Sequence, residues 1–93
     1  MFHVYILKCN DDSFYTGHTD DLDKRLAQHY QAYSNSCYTA KRLPVVLVYQ
    51  AEFNTREEAI LVEIQIKGWS RKKKQALINN DWIEIARLSK IKQ

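Results

Sequence analysis

The stretch Phe2-His3-Val4-Tyr5-Ile6-Leu7-Lys8-Cys9, then Asn10-Asp11-Asp12-Ser13, then Phe14-Tyr15-Thr16-Gly17-His18-Thr19 decides how the chain folds. Two runs rich in β-branched and aromatic residues flank a cluster of turn formers, so residues 2–19 read as a β-hairpin. The parity of the turn matters for Tyr5 and Tyr15. Residues of like parity on paired strands share a face only across a loop with an odd number of residues. An odd loop or a bulge at Asn10–Ser13 therefore puts both tyrosines on one face, and a two- or four-residue loop separates them. Either tyrosine alone reads as ordinary strand packing.

Outward from the hairpin, Asp20 offers an N-cap, and Asp21 and Asp23 place acids in a first helical turn. Leu22, Leu26 and Tyr30 recur every four residues, which predicts an amphipathic helix over 21–31. Ala32–Ala40 is polar and reads as a loop. Pro44 opens Val45–Tyr49, a continuous apolar run that predicts a strand buried on both faces. Thr55-x-x-Glu58 is a capping-box pattern and starts a second helix, which Gly68 should end. Ser70 caps a third, Arg71 to about Asn79. Beyond Asp81, Trp82, Ile85 and Leu88 keep helical spacing. The order is β-β-α-β-α-α, an α+β fold with helices packed on a small antiparallel sheet.

Ninety-three residues make a single domain, 1–93, well above the ~40-residue size at which a disulfide or metal staple is needed. Two glycines and one proline exclude a linker-rich, collagenous or disordered chain. No apolar run nears the ~18 residues of a membrane span, and Phe2–Cys9 is too short and too polar for a signal peptide. Cys9 and Cys37 lack metal or disulfide-framework spacing. The expected location is the reducing cytoplasm, with no membrane partner. The net charge of +3 divides into −2 over residues 1–40 and +5 over residues 41–93. Lys67, Arg71, Lys72, Lys73 and Lys74 cluster around Trp69, a patch that attracts polyanions or serves as a solvated face.

Several residues carry possible chemistry. Gly17 marks either a strand-end bend or a place where a ligand approaches the backbone; its position just after Tyr15 and before a helix favours the second. Arg25 and His29 lie four apart on one helix face, with Asp21 a turn earlier. They form a solvated stripe, or a planar phosphate clamp beside a phosphate ligand or proton carrier. Glu63 sits in an apolar run, either as the polar stripe of a helix or as a carboxylate facing a site. One such carboxylate suffices for Mg²⁺, which completes its shell with water and substrate phosphate. Phosphate-loop, dinucleotide, zinc-pair and serine-hydrolase motifs are missing from the sequence, which argues against nucleotide-driven and serine-hydrolase chemistry.

Together these residues resemble the GIY-YIG nuclease family. The resemblance rests on Val4-Tyr5-Ile6 ten residues before Tyr15-Thr16-Gly17, then His18, Arg25, His29, Tyr38-Thr39, Arg42-x-Pro44 and Glu63. Trp69-Ser-Arg-x-Lys-Lys74 is similar to the small stand-alone bacterial members, which are related to excision-repair nucleases. The first motif, His3-Val4-Tyr5, lacks the family glycine. The resemblance implies a three-stranded antiparallel sheet flanked by helices and a metal-dependent endonuclease acting on nucleic acid, with DNA ranked ahead of RNA and DNA repair as the associated process. It implies Tyr5, Tyr15, Arg25, His29 and Glu63 as catalytic residues, with Gly17 and His18 in support. A tyrosine would assist water attack, Arg25 would hold the scissile phosphate, His29 would support it, and Glu63 would bind one Mg²⁺ or Mn²⁺. Tyr5 and Tyr15 rank equally as the base, and a phenol with a free pKa of ~10 needs nearby cations to lower it. Gln75 and Asn79 are candidates for the polar residue that many members carry after the glutamate. Lys67, Arg71, Lys72, Lys73 and Lys74 would grip nucleic-acid backbone. A protein partner supplying specificity fits the small size. The alternative is a non-catalytic nucleic-acid-binding or partner-recruiting module on the same fold.

Overall fold

In the computed structural model, residues 1–30 and 42–91 are described. The expected loop over 32–40, Cys37 and the Tyr38-Thr39 pair lie outside them. The hairpin forms from β1 (Phe2–Lys8) and β2 (Phe14–Thr19), followed by α1 (Leu22–Tyr30), β3 (Val46–Phe53), α2 (Arg56–Lys67), α3 (Arg71–Ile78) and α4 (Trp82–Ile91). The sheet is antiparallel with strand order β2-β1-β3. Spacing over Trp82–Leu88 does become a helix, so the order gains one element at its end.

Hairpin register pairs Lys8 with Phe14 and Tyr5 with Gly17, leaving an odd loop of Cys9–Ser13. Cys9 N–H donates to Ser13 O and Asp12 N–H to Cys9 O, each at 2.9 Å. Asp12 takes a φ of 67°, a left-handed conformation that Asp tolerates. This turn puts Tyr5, Tyr15 and Gly17 on one face of the sheet. Val4, Ile6, Phe14 and Thr16 take the other.

β1, the centre of the sheet, is the strand buried on both faces: Val4, Tyr5, Ile6 and Leu7 are each 0 % exposed. The apolar run after Pro44 was expected to fill that role, and the structure corrects this. β3 runs on to Phe53 at the sheet edge, with Val46 exposed. Between Ile6 and Leu7 the β1–β3 register slips by one residue, a bulge at Val48. Leu47 thus packs with Tyr5 and Leu7 on one face, while Val48 and Tyr49 both pack on the other.

Leu22 and Leu26 of α1 cover the Tyr5–Leu7 face, and Ala59 and Ile66 of α2 cover the Val4–Ile6 face together with α3 and α4 residues Ala76, Leu77 and Ile85. Asp21, not the expected Asp20, caps α1: its Oδ1 accepts from Lys24 N–H at 3.1 Å. The capping box of α2 forms as expected, and Gly68 closes the helix with its N–H bonded to Ile64 O and Gln65 O. Its φ of −81° is right-handed, so this glycine does not use the left-handed freedom that makes the residue common at helix ends. Arg71 donates to Asp12 O and stacks over the Phe14 ring, 4.4 Å from its centroid, pinning α3 to the hairpin turn. No helix of the described residues is long and apolar enough to cross a membrane.

Candidate functional site

Tyr5 is the centre of the site. It projects from β1 toward edge strand β2 and lies over Gly17. A Cβ at Gly17 would stand 2.6 Å from Tyr5 Oη and 2.8 Å from Cζ. The glycine therefore makes room for a phenol of this chain, and the expectation that it admits a ligand is corrected.

Arg25 and His29, one turn apart on α1, both reach this phenol. Arg25 Nε donates to Tyr5 Oη at 3.4 Å, and His29 Nε2 is hydrogen-bonded to the same oxygen at 3.1 Å. Arg25 also interacts with Tyr15, and its Nη1 donates to Gln28 Oε1 at 3.3 Å. Gln28 escaped the sequence reading, although its i,i+3 spacing from Arg25 was a usable signal. The Tyr5 and Tyr15 ring centroids are 6.3 Å apart, and Tyr15 and His29 are 5.1 Å apart. Tyr5, Tyr15, Arg25 and His29 thus form one connected cluster.

Burial sets the electrostatics here. Loss of solvent pushes the Tyr5 phenol up to about 12, despite the opposing Arg25 hydrogen bond. The expectation that cations lower this phenol is therefore not met in the free protein. His29 is 1 % exposed, and burial, then the Arg25 charge, lowers its pKa, which favours neutral imidazole. With Nε2 committed to Tyr5 and the ring enclosed, His29 is placed to serve the phenol. The direct phosphate contact expected of it does not match this placement. Arg25 is raised, first by its bond to Tyr5.

Glu63 comes from the other side of the sheet. His18 Nδ1 donates to its Oε1, and Lys67 Nζ lies 2.7 Å from Oε2. Burial pushes Glu63 up, but the Lys67 and His18 bonds outweigh it, so the carboxylate ends below its ordinary value. Its charge still reaches Tyr5, and Lys67 interacts with Tyr15. The two groups of side chains therefore lie on opposite faces of the sheet and are linked across β2 through their charges. Among the described residues, no group of three or more His, Cys, Asp or Glu is placed to hold a metal. Glu63 nonetheless suits one divalent ion: it is ionised, its side chain is 13 % exposed, and it already balances a positive charge. Water and phosphate complete such a shell.

The remaining candidates lie elsewhere. Gln75 Nε2 donates to Asn79 Oδ1 at 3.2 Å, and both line a cleft with Lys72, Asp81 and Glu84. Within the basic patch, Lys67 pairs with Glu63, Arg71 docks on the hairpin, and Lys73 lies 4.3 Å over the Trp69 ring.

Residues 1–76 match the family model of the GIY-YIG catalytic domain. A UPF0213 protein of Staphylococcus saprophyticus is 46% identical over 77 residues, covering 83% of this chain and 93% of that protein. Another, from Halobacterium salinarum, is 42% identical over 77 residues, covering 83% and 99%. The solution structure of a UPF0213 protein from Bacillus halodurans superposes with a TM-score of 0.56 at 41% identity, covering 85% of this chain and 84% of that one. With this match over most of its length, the chain belongs to the GIY-YIG family, a family of nucleases.

Proposed function

We propose that this protein is an endonuclease hydrolysing phosphodiester bonds in DNA, with one divalent ion, Mg²⁺ or Mn²⁺. The observation that carries the reading is the Tyr5 hydroxyl, shared by Arg25 and His29 beside Tyr15 and within reach of the Glu63 charge. Arg25 binds the scissile phosphate. Its bonds to Tyr5 and Gln28 aim the planar guanidinium and leave donors for phosphate oxygens.

Tyr5 and His29 move the proton. A phenol held near 12 ionises too little at neutral pH to act as a preformed base. Neutral His29 offers Nε2 as acceptor, so Tyr5 can pass its proton to that nitrogen while taking one from the attacking water. Arg25 Nε–H steadies the phenolate character that develops. Tyr15, half-buried on the same face, orients the water. Glu63 would hold the divalent ion general to GIY-YIG nucleases, and when bound that ion supplies charge neutralisation at the phosphoryl group.

The Lys67 and His18 bonds to Glu63 favour a second reading, a nucleic-acid-binding module without turnover. Incubation with single-stranded, duplex, flap and branched DNA in Mg²⁺ or Mn²⁺ separates the two. The expected result is cleavage that falls at least about a hundredfold in Glu63→Gln and in Tyr5→Phe while DNA binding persists. Binding without cleavage of any substrate selects the module; full cleavage by Glu63→Gln removes Glu63 from the mechanism.

A further inference from the structure

Lys67 is one helical turn beyond Glu63 on α2, and its ammonium lies 2.7 Å from Glu63 Oε2. The two partners differ in freedom. The Glu63 side chain is 13 % exposed and is anchored at Oε1 by His18 from β2, whereas the Lys67 side chain is 54 % exposed. The carboxylate is fixed, and the ammonium can swing into solvent on its long stem. With its ammonium half exposed, Lys67 can be exchanged for another cation. A metal ion at Oε2 and an ammonium at the same oxygen are mutually exclusive, because their like charges repel at contact distance.

We propose that Lys67 is the resident counter-ion of Glu63 and that a divalent cation must displace it to bind. The inference rests on the proposed role of Glu63 as the ion's ligand. His18 stays on Oε1 and positions the carboxylate. The released ammonium turns to the anion nearest the site, the substrate phosphate. Lys67 therefore opposes the ion in the free protein and favours it once nucleic acid offers another partner. It acts as a positioning residue that sets how much metal the free site needs.

Titration of the full-length chain with Mn²⁺, without nucleic acid and at low ionic strength, tests this. Free Mn²⁺ is followed by electron paramagnetic resonance. Lys67→Met should bind Mn²⁺ about three- to tenfold more tightly than the wild type, because the competing charge is gone. Lys67→Arg, which keeps a cation at the same spacing, should stay near wild type. Glu63→Gln should lose the site. If Lys67→Met binds no more tightly while Glu63→Gln still loses the ion, the counter-ion role is overturned and Glu63 keeps its own. If Glu63→Gln binds like wild type, the ion lies elsewhere and both readings fall.

Discussion

Gly17 owes its identity to Tyr5. The phenol crosses β2 where a side chain would stand, and the tyrosine cannot easily yield, since it is 0 % exposed and bonded to both Arg25 and His29. Gly17→Ala should cost about 1–3 kcal/mol by overpacking and should push Tyr5 off His29. Urea unfolding of a double-mutant cycle checks the cause. In a Tyr5→Leu background the same substitution should cost less than half as much, because the crossing ring is gone. An equal cost in both backgrounds would trace the need for glycine to the strand itself. The missing side chain leaves the Tyr5 ring its place over β2.

At the scale of elements, α2 supplies the carboxylate and its start is set locally. Thr55 Oγ1 accepts from Glu58 N–H, and Glu58 Oε1 accepts from Thr55 N–H, both at 3.2 Å. Thr55→Ala should destabilise the protein by about 1 kcal/mol, read from the urea midpoint, with exposed Glu57→Ala as a control that changes little. β3 teaches the opposite lesson. Its apolar run suggested burial on both faces, yet β1 occupies the centre because both other strands pair with it. Composition of a short run cannot say which strand has two neighbours. Even so, the hairpin, the starts of α2 and α3 and the end of α2 followed from turn chemistry, caps and spacing, which act over a few residues.

The whole molecule separates its charges by task. Three cations of the 67–74 cluster hold parts of the fold together: Lys67 on Glu63, Arg71 on the hairpin, Lys73 on Trp69. We propose that Lys72, whose charge also reaches Glu84, and Lys74 are the members that meet a polyanion. Neutralising both to Gln should weaken DNA binding equally across sequences and lower the log–log salt slope by about two. Fluorescence anisotropy over a range of salt checks this; an unchanged slope would show that neither lysine touches the backbone. Arg71 differs, since its guanidinium is also bonded to Asp12 O and stacked over Phe14.

The elements, the parity condition that lets two tyrosines share a face, and the helix stripe carrying Arg25 and His29 were all legible in the order of residues. Such features depend on neighbours within a turn or a strand pair. Tertiary structure decided the rest. Glu63 and His18 lie forty-five positions apart in the chain, yet they meet beside the β2 edge because α2 packs on the face opposite α1. Burial, which no local pattern states, turned His29 from a phosphate contact into the partner of a phenol and raised that phenol. Long-range packing sets both solvent exclusion and charge proximity, and those two quantities govern what these side chains can do.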